Sequence, residues 1–174
     1  MLNQIKTLDH RFYQALTKLK KPTGLTIVMK ILSLLGENAF IWLVLSGFLA
    51  WQNNNFPSFY LMLILQTGQF ALVSLLIKRL VKRPRPNYQQ EDPPKTLFLF
   101  ASYSFPSGHT AASFTAWPVL SYYFPRYTFY FISLALLISF SRLYLAKHYF
   151  SDILAGIVLG LLLSGITLFL SNLF

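Results

Sequence analysis

One short polar stretch, SRLYLAKHYFSD at positions 141–152, decides the fold because it separates two long apolar segments. The flanking segments, 127–143 and 151–173, contain Arg142 and Asp152 as their only charged residues. Apolar runs of about 20 residues match the hydrocarbon thickness of a bilayer when they are helical. The stretch is therefore predicted to join two membrane-crossing helices, with an arginine, a histidine and an aspartate at the membrane boundary.

The spacing within this stretch is typical of a catalytic histidine. His148 and Asp152 are four residues apart, so on a helix they would share one face. A carboxylate in that place holds an imidazole in one tautomer and raises its basicity, as a nucleophilic or general-base histidine requires. Arg142 would offer a planar cationic fork to an anion held nearby. A structural ion pair between Arg142 and Asp152 is the simpler alternative.

The composition places the chain in the membrane. Of its 174 residues, 55% are hydrophobic and only 11% are charged, whereas soluble domains carry about a quarter charged residues. The net charge of +10 comes without a basic stripe of stacking aromatics on a polar surface, so no nucleic-acid partner is expected. Membrane lipids and an anionic substrate explain that charge better. The absence of cysteine excludes disulfides, thiol catalysis and cysteine-ligated metals.

The apolar segments predict a single all-α domain over residues 1–174, a polytopic helical membrane bundle. We expect five to six transmembrane helices and an N-terminal amphipathic helix lying in the membrane interface. Gly156 and Gly160 predict close helix packing in the last crossing. The expected segments are an interfacial helix over 2–21, a dipping helix and first crossing over 24–51, crossings over 57–81, 106–124, 127–143 and 151–173, and a loop over 87–105.

Counting crossings brings three polar clusters to one membrane face. The helix over 57–81 leaves on the face from which the helix at 106 begins, and the stretch 141–152 returns to it two crossings later. A helix start offers free backbone amides to an anion, and Gly108 allows close backbone approach. This set suits a tetrahedral oxyanion such as phosphate, and without an acidic cluster or a histidine triad we expect no metal or other cofactor. The clusters are Lys78 and Arg85, then Ser107, Gly108 and His109, then Arg142, His148 and Asp152.

In order and spacing, these residues resemble the three-part signature of the type 2 phosphatidic acid phosphatase superfamily. Any one part alone would be weak support, whereas three parts in order are specific. The register selects Arg85 as the motif arginine, so interfacial snorkelling is the expectation for Arg79, Lys82 and Arg83. The parts are Lys78, six residues and Arg85-Pro86; Pro106-Ser107-Gly108-His109; and Ser141-Arg142, five residues, His148, three residues and Asp152.

The resemblance implies a mechanism and a substrate class. His148 would attack phosphorus and form a phosphohistidine, Asp152 would orient His148, and His109 would protonate the leaving lipid oxygen. The enzyme would be a metal-independent hydrolase of a lipid phosphate or pyrophosphate. Phosphatidic acid, phosphatidylglycerophosphate, undecaprenyl pyrophosphate and lipid A are all candidate substrates, because nothing in the motifs selects among them. The residues implied to bind phosphate are Lys78, Arg85, Ser107, Gly108 and Arg142.

Several alternatives stay open at the level of sequence. The same residues would serve a lipid-to-lipid phosphotransferase, and a non-catalytic lipid phosphate transporter could use the basic site for binding alone. Glu37 is either a helix-turn residue or a partner of a site cation, and the oligomeric state is undetermined. The positive-inside rule by itself places the basic face in the cytoplasm. We follow the resemblance, which implies a multi-pass protein of a bacterial inner membrane with the site facing the periplasm or outer face.

Overall fold

The computed structural model describes residues 2–86 and 103–173, and this part of the chain is helical without any strand. Most of the loop expected over 87–105 lies outside the described residues. A π-helix, Ala71–Ile77, joins the fourth helix to the fifth, and short 3₁₀ turns cover Glu37–Ala39 and Pro125–Tyr127. The α-helices are α1 Leu2–Lys18, α2 Thr23–Leu35, α3 Phe40–Gln52, α4 Phe56–Phe70, α5 Lys78–Val81, α6 Gly108–Tyr123, α7 Thr128–Tyr144 and α8 Phe150–Ser171.

The expected dip before the first crossing corresponds to a sharp bend between α2 and α3. Their axes differ by 60°, and Asn38 and Ala39 between them have left-handed backbone angles, with φ of 48° and 60°. Gly36 permits a close approach here, because a Cβ at this position would lie 2.6 Å from Ile138 Cγ2 and 3.2 Å from His109 Cδ2. The bend therefore brings the end of α2 against α7 and the start of α6.

Length and composition identify three described segments that can cross a membrane, Phe56–Val81, Pro125–Tyr144 and Phe150–Ser171. The bent pair α2–α3 raises the number to four if it forms one span. Helix α6 has only 16 residues, so at 1.5 Å per residue it is about 24 Å long, shorter than a hydrocarbon core of about 30 Å. This measure gives fewer crossings than the five to six expected, and that count stays a prediction.

The short helix α6 forms the centre of the bundle, in contact with α4, α7 and α8. Its tightest neighbour is α8, whose small residues let the two backbones meet, as the sequence predicts. A Cβ at Gly160 would lie 2.6 Å from Ala111 O, and one at Gly156 would lie 2.9 Å from Ser107 O. The second contact lies at the first residues of α6, so this packing fixes the start of α6 against the start of α8.

Helix α1 lies against the end of the bundle that carries the stretch 141–152. The Phe12 and Phe150 rings stack with centroids 4.6 Å apart, and Lys21 Nζ donates to Tyr144 O at 2.6 Å. Asp9 is buried beneath the helix, whereas Leu8 on its other side is 53% exposed. The helix is thus amphipathic and attached, while its position in a membrane interface remains a prediction.

Candidate active site

The stretch 141–152 is not one continuous helix. Helix α7 ends at Tyr144, a turn follows in which Ala146 has a φ of 55°, and α8 begins at Phe150. The prediction that His148 and Asp152 share one face of a helix is therefore wrong, because His148 precedes α8. The two are close because Asp152, in the first turn of α8, accepts from Tyr149 N at 2.9 Å and so closes the helix cap.

His148 is 3% exposed, and a backbone carbonyl holds its ring. Its Nδ1 lies 2.8 Å from Ser104 O and 3.6 Å from Asp152 Oδ2. Because a carbonyl oxygen can only accept, Nδ1 carries the proton and Nε2 keeps its lone pair. Burial, and then the charges of Arg142, Arg85 and Lys78, hold the pKa of His148 well below its usual value. The ring is therefore neutral near pH 7.

Six of the eight residues implied by the sequence line one cavity of about 1040 Å³. It lies between α2, α4, α6 and the turn after α7. A Cβ at Gly108 would meet only Val73 Cγ1, at 3.8 Å, so the protein leaves space beside this backbone. The six are Lys78, Arg85, Gly108, His109, Arg142 and His148.

Ser107 and Asp152 are fully buried behind the cavity wall. Ser107 is the N-cap of α6, and its Oγ accepts from Thr110 N at 3.4 Å and from Thr110 Oγ1 at 3.0 Å. Its backbone N donates to Asp152 O at 3.0 Å. The starts of α6 and α8 are thereby joined through main-chain groups, which positions the second and third clusters relative to each other.

Ser33 of α2 contacts two of the implied site residues, although no sequence signal marked it. Its hydroxyl accepts a hydrogen bond from Arg142 Nη1, and its carbonyl lies 3.1 Å from His109 Nε2. That carbonyl can only accept, so Nε2 of His109 carries a proton and Nδ1 remains for other partners. Arg142 Nε is buried without a hydrogen-bond partner among the described residues.

The cavity wall concentrates buried positive charge. Lys78 is 8% exposed and Arg142 is 4% exposed, and the π-helix directly before Lys78 is a feature frequently found at functional sites. Glu37 also lines this cavity, which favours its interpretation as a neighbour of the site cations. Buried cations are costly unless an anion compensates them. In residues 2–86 and 103–173, no three His, Cys, Asp or Glu side chains are grouped so as to hold a metal ion.

Arg83 is not a snorkelling residue, contrary to the expectation from the sequence. Its Nη1 donates to Asp152 Oδ1 at 2.7 Å, and its Nη2 donates to Asp9 Oδ2 at 2.6 Å. Its guanidinium carbon also lies 4.1 Å from the centroid of the Tyr149 ring. Two carboxylates and an aromatic face bind the guanidinium more favourably than water at the membrane interface does.

Asp9 on α1 completes this cluster and was also missed from the sequence. It accepts from Ser151 N at 2.9 Å and from Ser151 Oγ at 2.6 Å, in addition to Arg83. Burial alone would raise the pKa of Asp9, but hydrogen bonds from Arg83 and Ser151 and the charge of Arg83 hold it below its ordinary value. The carboxylate is therefore ionised at neutral pH, and the N-terminal helix is tied to the first turn of α8.

Comparison with known proteins places this arrangement in a family. Phosphatidylglycerophosphatase B of Bacillus subtilis (strain 168) is 26% identical over 175 residues, which cover 92% of this chain and 82% of that protein. A lipid A 1-phosphatase of Rhizobium johnstonii is 32% identical over 97 residues, 52% of this chain and 38% of that protein. The crystal structure of a transmembrane PAP2 type phosphatidylglycerolphosphate phosphatase from Bacillus subtilis has a TM-score of 0.77 at 23% identity, covering 98% of this chain and 87% of that one.

The family model described as PAP2 superfamily matches residues 58–172, the part of the chain that contains all three motif clusters. The resemblance inferred from the spacing of those clusters is thereby confirmed. The chain belongs to the PAP2 superfamily.

Proposed function

We propose that this protein is an integral-membrane phosphatase that hydrolyses a phosphate ester or pyrophosphate on a lipid headgroup. The observation that carries the proposal is that two histidines and three cations of the motif, from three separate parts of the chain, line one cavity. The names of its relatives, a phosphatidylglycerophosphatase and a lipid A 1-phosphatase, support the same class of substrate.

In the first step, Nε2 of His148 attacks phosphorus, an N–P bond forms and the P–O bond to the lipid alcohol breaks. The proton stays on Nδ1, hydrogen-bonded to the Ser104 carbonyl, with the Asp152 carboxylate 3.6 Å away to stabilise the positive charge on the ring. His109 enters this step as the imidazolium, with both ring nitrogens protonated in the presence of the anionic substrate. It donates the Nδ1 proton to the leaving oxygen and keeps its Nε2–H on Ser33 O. The lipid leaves as a neutral alcohol.

In the second step, His109 takes a proton from water, whose oxygen attacks the phosphohistidine. The N–P bond breaks, inorganic phosphate is released and His148 returns to its neutral form. Lys78, Arg85, Arg142 and the Gly108 amide hold the equatorial oxygens as charge spreads in the transition state. Ser107 contributes as the N-cap that presents this amide, and with the charge met by fixed cations the mechanism needs no metal.

We infer five crossings in the membrane from the order of the helices. They are α3, the segment Phe56–Val81, α6, α7 and α8, while α2 dips from the catalytic face and α1 rests on it. Helix α6, too short to span alone, would cross at the centre of the bundle, surrounded by protein. We place the chain in a bacterial inner membrane with the cavity on the periplasmic face, so that the C-terminus lies in the cytoplasm.

The direct test is His148→Ala in the full chain, reconstituted in vesicles and assayed for phosphate release. The substrates are phosphatidic acid, phosphatidylglycerophosphate, undecaprenyl pyrophosphate and lipid A. We expect the wild type to release phosphate from at least one of them and the variant to lose at least about 10³-fold, the scale seen when a covalent nucleophile is removed. Gln14→Ala, at an exposed position of α1, is the control, since it leaves the three motifs intact.

Two outcomes contradict the proposal. Retained turnover in His148→Ala would exclude His148 as the nucleophile. Transfer of phosphate to a second lipid without free phosphate would make the protein a phosphotransferase instead of a hydrolase.

A further inference from the structure

Helix α4 and the π-helix carry polar side chains along one face, at membrane depth. Gln66 and Gln69 are each 4% exposed, and Ser74 is 7% exposed. All three precede Lys78 in the apolar segment Phe56–Val81 and line the cavity that contains both site histidines. Polar groups are costly in a membrane helix unless other protein groups or a polar cavity satisfy them.

The protein satisfies these amides only in part. Gln66 Nε2 donates to Ala112 O at 3.0 Å, but its Oε1 is buried without a partner among the described residues. The amide of Gln69 forms no hydrogen bond within residues 2–86 and 103–173. A buried amide left unpaired is unfavourable, so these two side chains have hydrogen-bonding capacity that a ligand in the cavity can use.

Their position indicates which part of a substrate they would meet. Ala112, the partner of Gln66, lies three residues after His109 in α6, about one helical turn deeper. Gln69 lies three residues from Gln66, toward Lys78. In the proposed mechanism the leaving oxygen is next to His109. The amides therefore lie on the side of the cavity where the alcohol portion of the substrate is placed.

We propose that Gln66 and Gln69, with Ser74, form a subsite for a neutral hydroxyl-bearing group next to the scissile phosphate, such as a glycerol or a sugar. This inference rests on the proposed phosphatase function. A primary amide both donates and accepts, which matches a hydroxyl group. Phosphatidic acid and a polyprenyl pyrophosphate present only acceptor oxygens or a second phosphate at this place, so they would leave the Gln66 Oε1 acceptor without a donor. The subsite therefore favours lipid phosphates with a polyol or sugar leaving group over phosphatidic acid or a polyprenyl pyrophosphate.

The test compares two substrates with equal acyl chains, dioctanoyl phosphatidylglycerophosphate and dioctanoyl phosphatidic acid. The leaving group of the first carries a free hydroxyl, and that of the second does not. We expect the wild type to have the higher kcat/KM on phosphatidylglycerophosphate. Gln69→Leu should lower that value about tenfold, the effect of one lost hydrogen bond, and change the value for phosphatidic acid less than about twofold.

Gln52→Leu is the matched control, because Gln52 is exposed at the end of α3 and lies away from the cavity. Gln69→Met serves as a second variant of similar length if Gln69→Leu does not survive purification. An equal loss on both substrates, or a wild type that prefers phosphatidic acid, would overturn the subsite alone. A wild type that releases no phosphate from either substrate, or from the wider panel above, would instead overturn the phosphatase and the subsite with it.

Discussion

The Asp152 carboxylate contacts His148, as the motif implies, and also Arg83, which the motif leaves out. One oxygen closes the cap of α8 at Tyr149 N and lies 3.6 Å from His148, while the other accepts from Arg83. Arg83 in turn binds Asp9, 74 residues away in the chain. Because the Asp152 carboxylate is fully buried, its orientation depends on these partners, and a displaced carboxylate no longer supports the imidazole.

We therefore expect Asp9→Asn to slow catalysis although Asp9 does not line the cavity. The substitution removes the anion that holds Arg83 and turns an amide NH₂ group toward donors. It should lower kcat about tenfold with KM nearly unchanged, and lower the free energy of unfolding by about 1–3 kcal/mol. Steady-state kinetics and thermal unfolding of the full chain in detergent measure the two effects.

Two further variants separate positioning from stability. Arg83→Lys keeps the positive charge but loses the two guanidinium NH₂ groups that bind Asp9 and Asp152 together. We therefore expect kcat to fall again without a rise in KM. Gln14→Ala, at an exposed position of the same helix, should change neither quantity. A lower unfolding temperature with unchanged kcat in both Asp9→Asn and Arg83→Lys would show a purely structural role.

At the level of the elements, the contact of α6 with α8 decides where the motif clusters lie. Ser107 and Gly108 begin α6, and Asp152 lies in the first turn of α8. The two helices approach closely enough for backbone contact because Gly156 and Gly160 face α6. A small-residue seam thus has a functional consequence as well as a packing one, since it sets the distance between the helix start at Gly108 and the histidine before α8.

Gly160→Ala should destabilise the protein by about 1–3 kcal/mol or more, since its Cβ would meet Ala111 O at 2.6 Å and Phe114 Cβ at 2.8 Å. Gly165→Ala on the same helix is the matched control, because nothing lies within 4 Å of its Cβ. Thermal unfolding followed by tryptophan fluorescence should show a lower midpoint for the first and an equal or higher midpoint for the second. Equal midpoints would contradict the close approach of α6 and α8.

For the whole molecule, the contacts of α1 place the N-terminal helix on the same end of the bundle as the cavity. Lys21 and Asp9 bind Tyr144 and Ser151, next to the catalytic stretch. If α2 only dips, the chain crosses the membrane five times. Two of these crossings, Phe56–Val81 and α6, separate Asn54 from Arg126, so both turns should lie on the face opposite the cavity.

Five crossings with an outward cavity predict the accessibility of single cysteines, which the cysteine-free chain allows directly. A cysteine at exposed Lys82 should react with an impermeant maleimide in intact cells. Cysteines at exposed Asn54 and Arg126 should react only after permeabilisation. The reverse pattern would place the cavity in the cytoplasm, as the positive-inside rule indicates. Reaction at only one of Asn54 and Arg126 in intact cells would refute the number of crossings.

By itself, the sequence determined that the chain is a helical membrane protein and which family it belongs to. Both conclusions rest on short stretches of sequence. The length and composition of apolar runs predict membrane helices, and spacings such as that between His148 and Asp152 identify the motif. Spacings do not reveal where a helix ends. The shared helix face predicted for His148 and Asp152 is therefore wrong, because α7 ends at Tyr144 and His148 lies in a turn.

Only the tertiary structure decided which groups hold the site residues. Ser104 O on His148, Ser33 on Arg142 and His109, and Asp9 on Arg83 are contacts between residues 44 to 109 positions apart. Hydrogen-bond partners are chosen by where folded backbones come together, and a serine or a carbonyl group carries no signal of its own in a sequence. Helix packing, through the bend at Gly36 and the glycines of α8, therefore turned a set of motif residues into one buried, positively charged cavity.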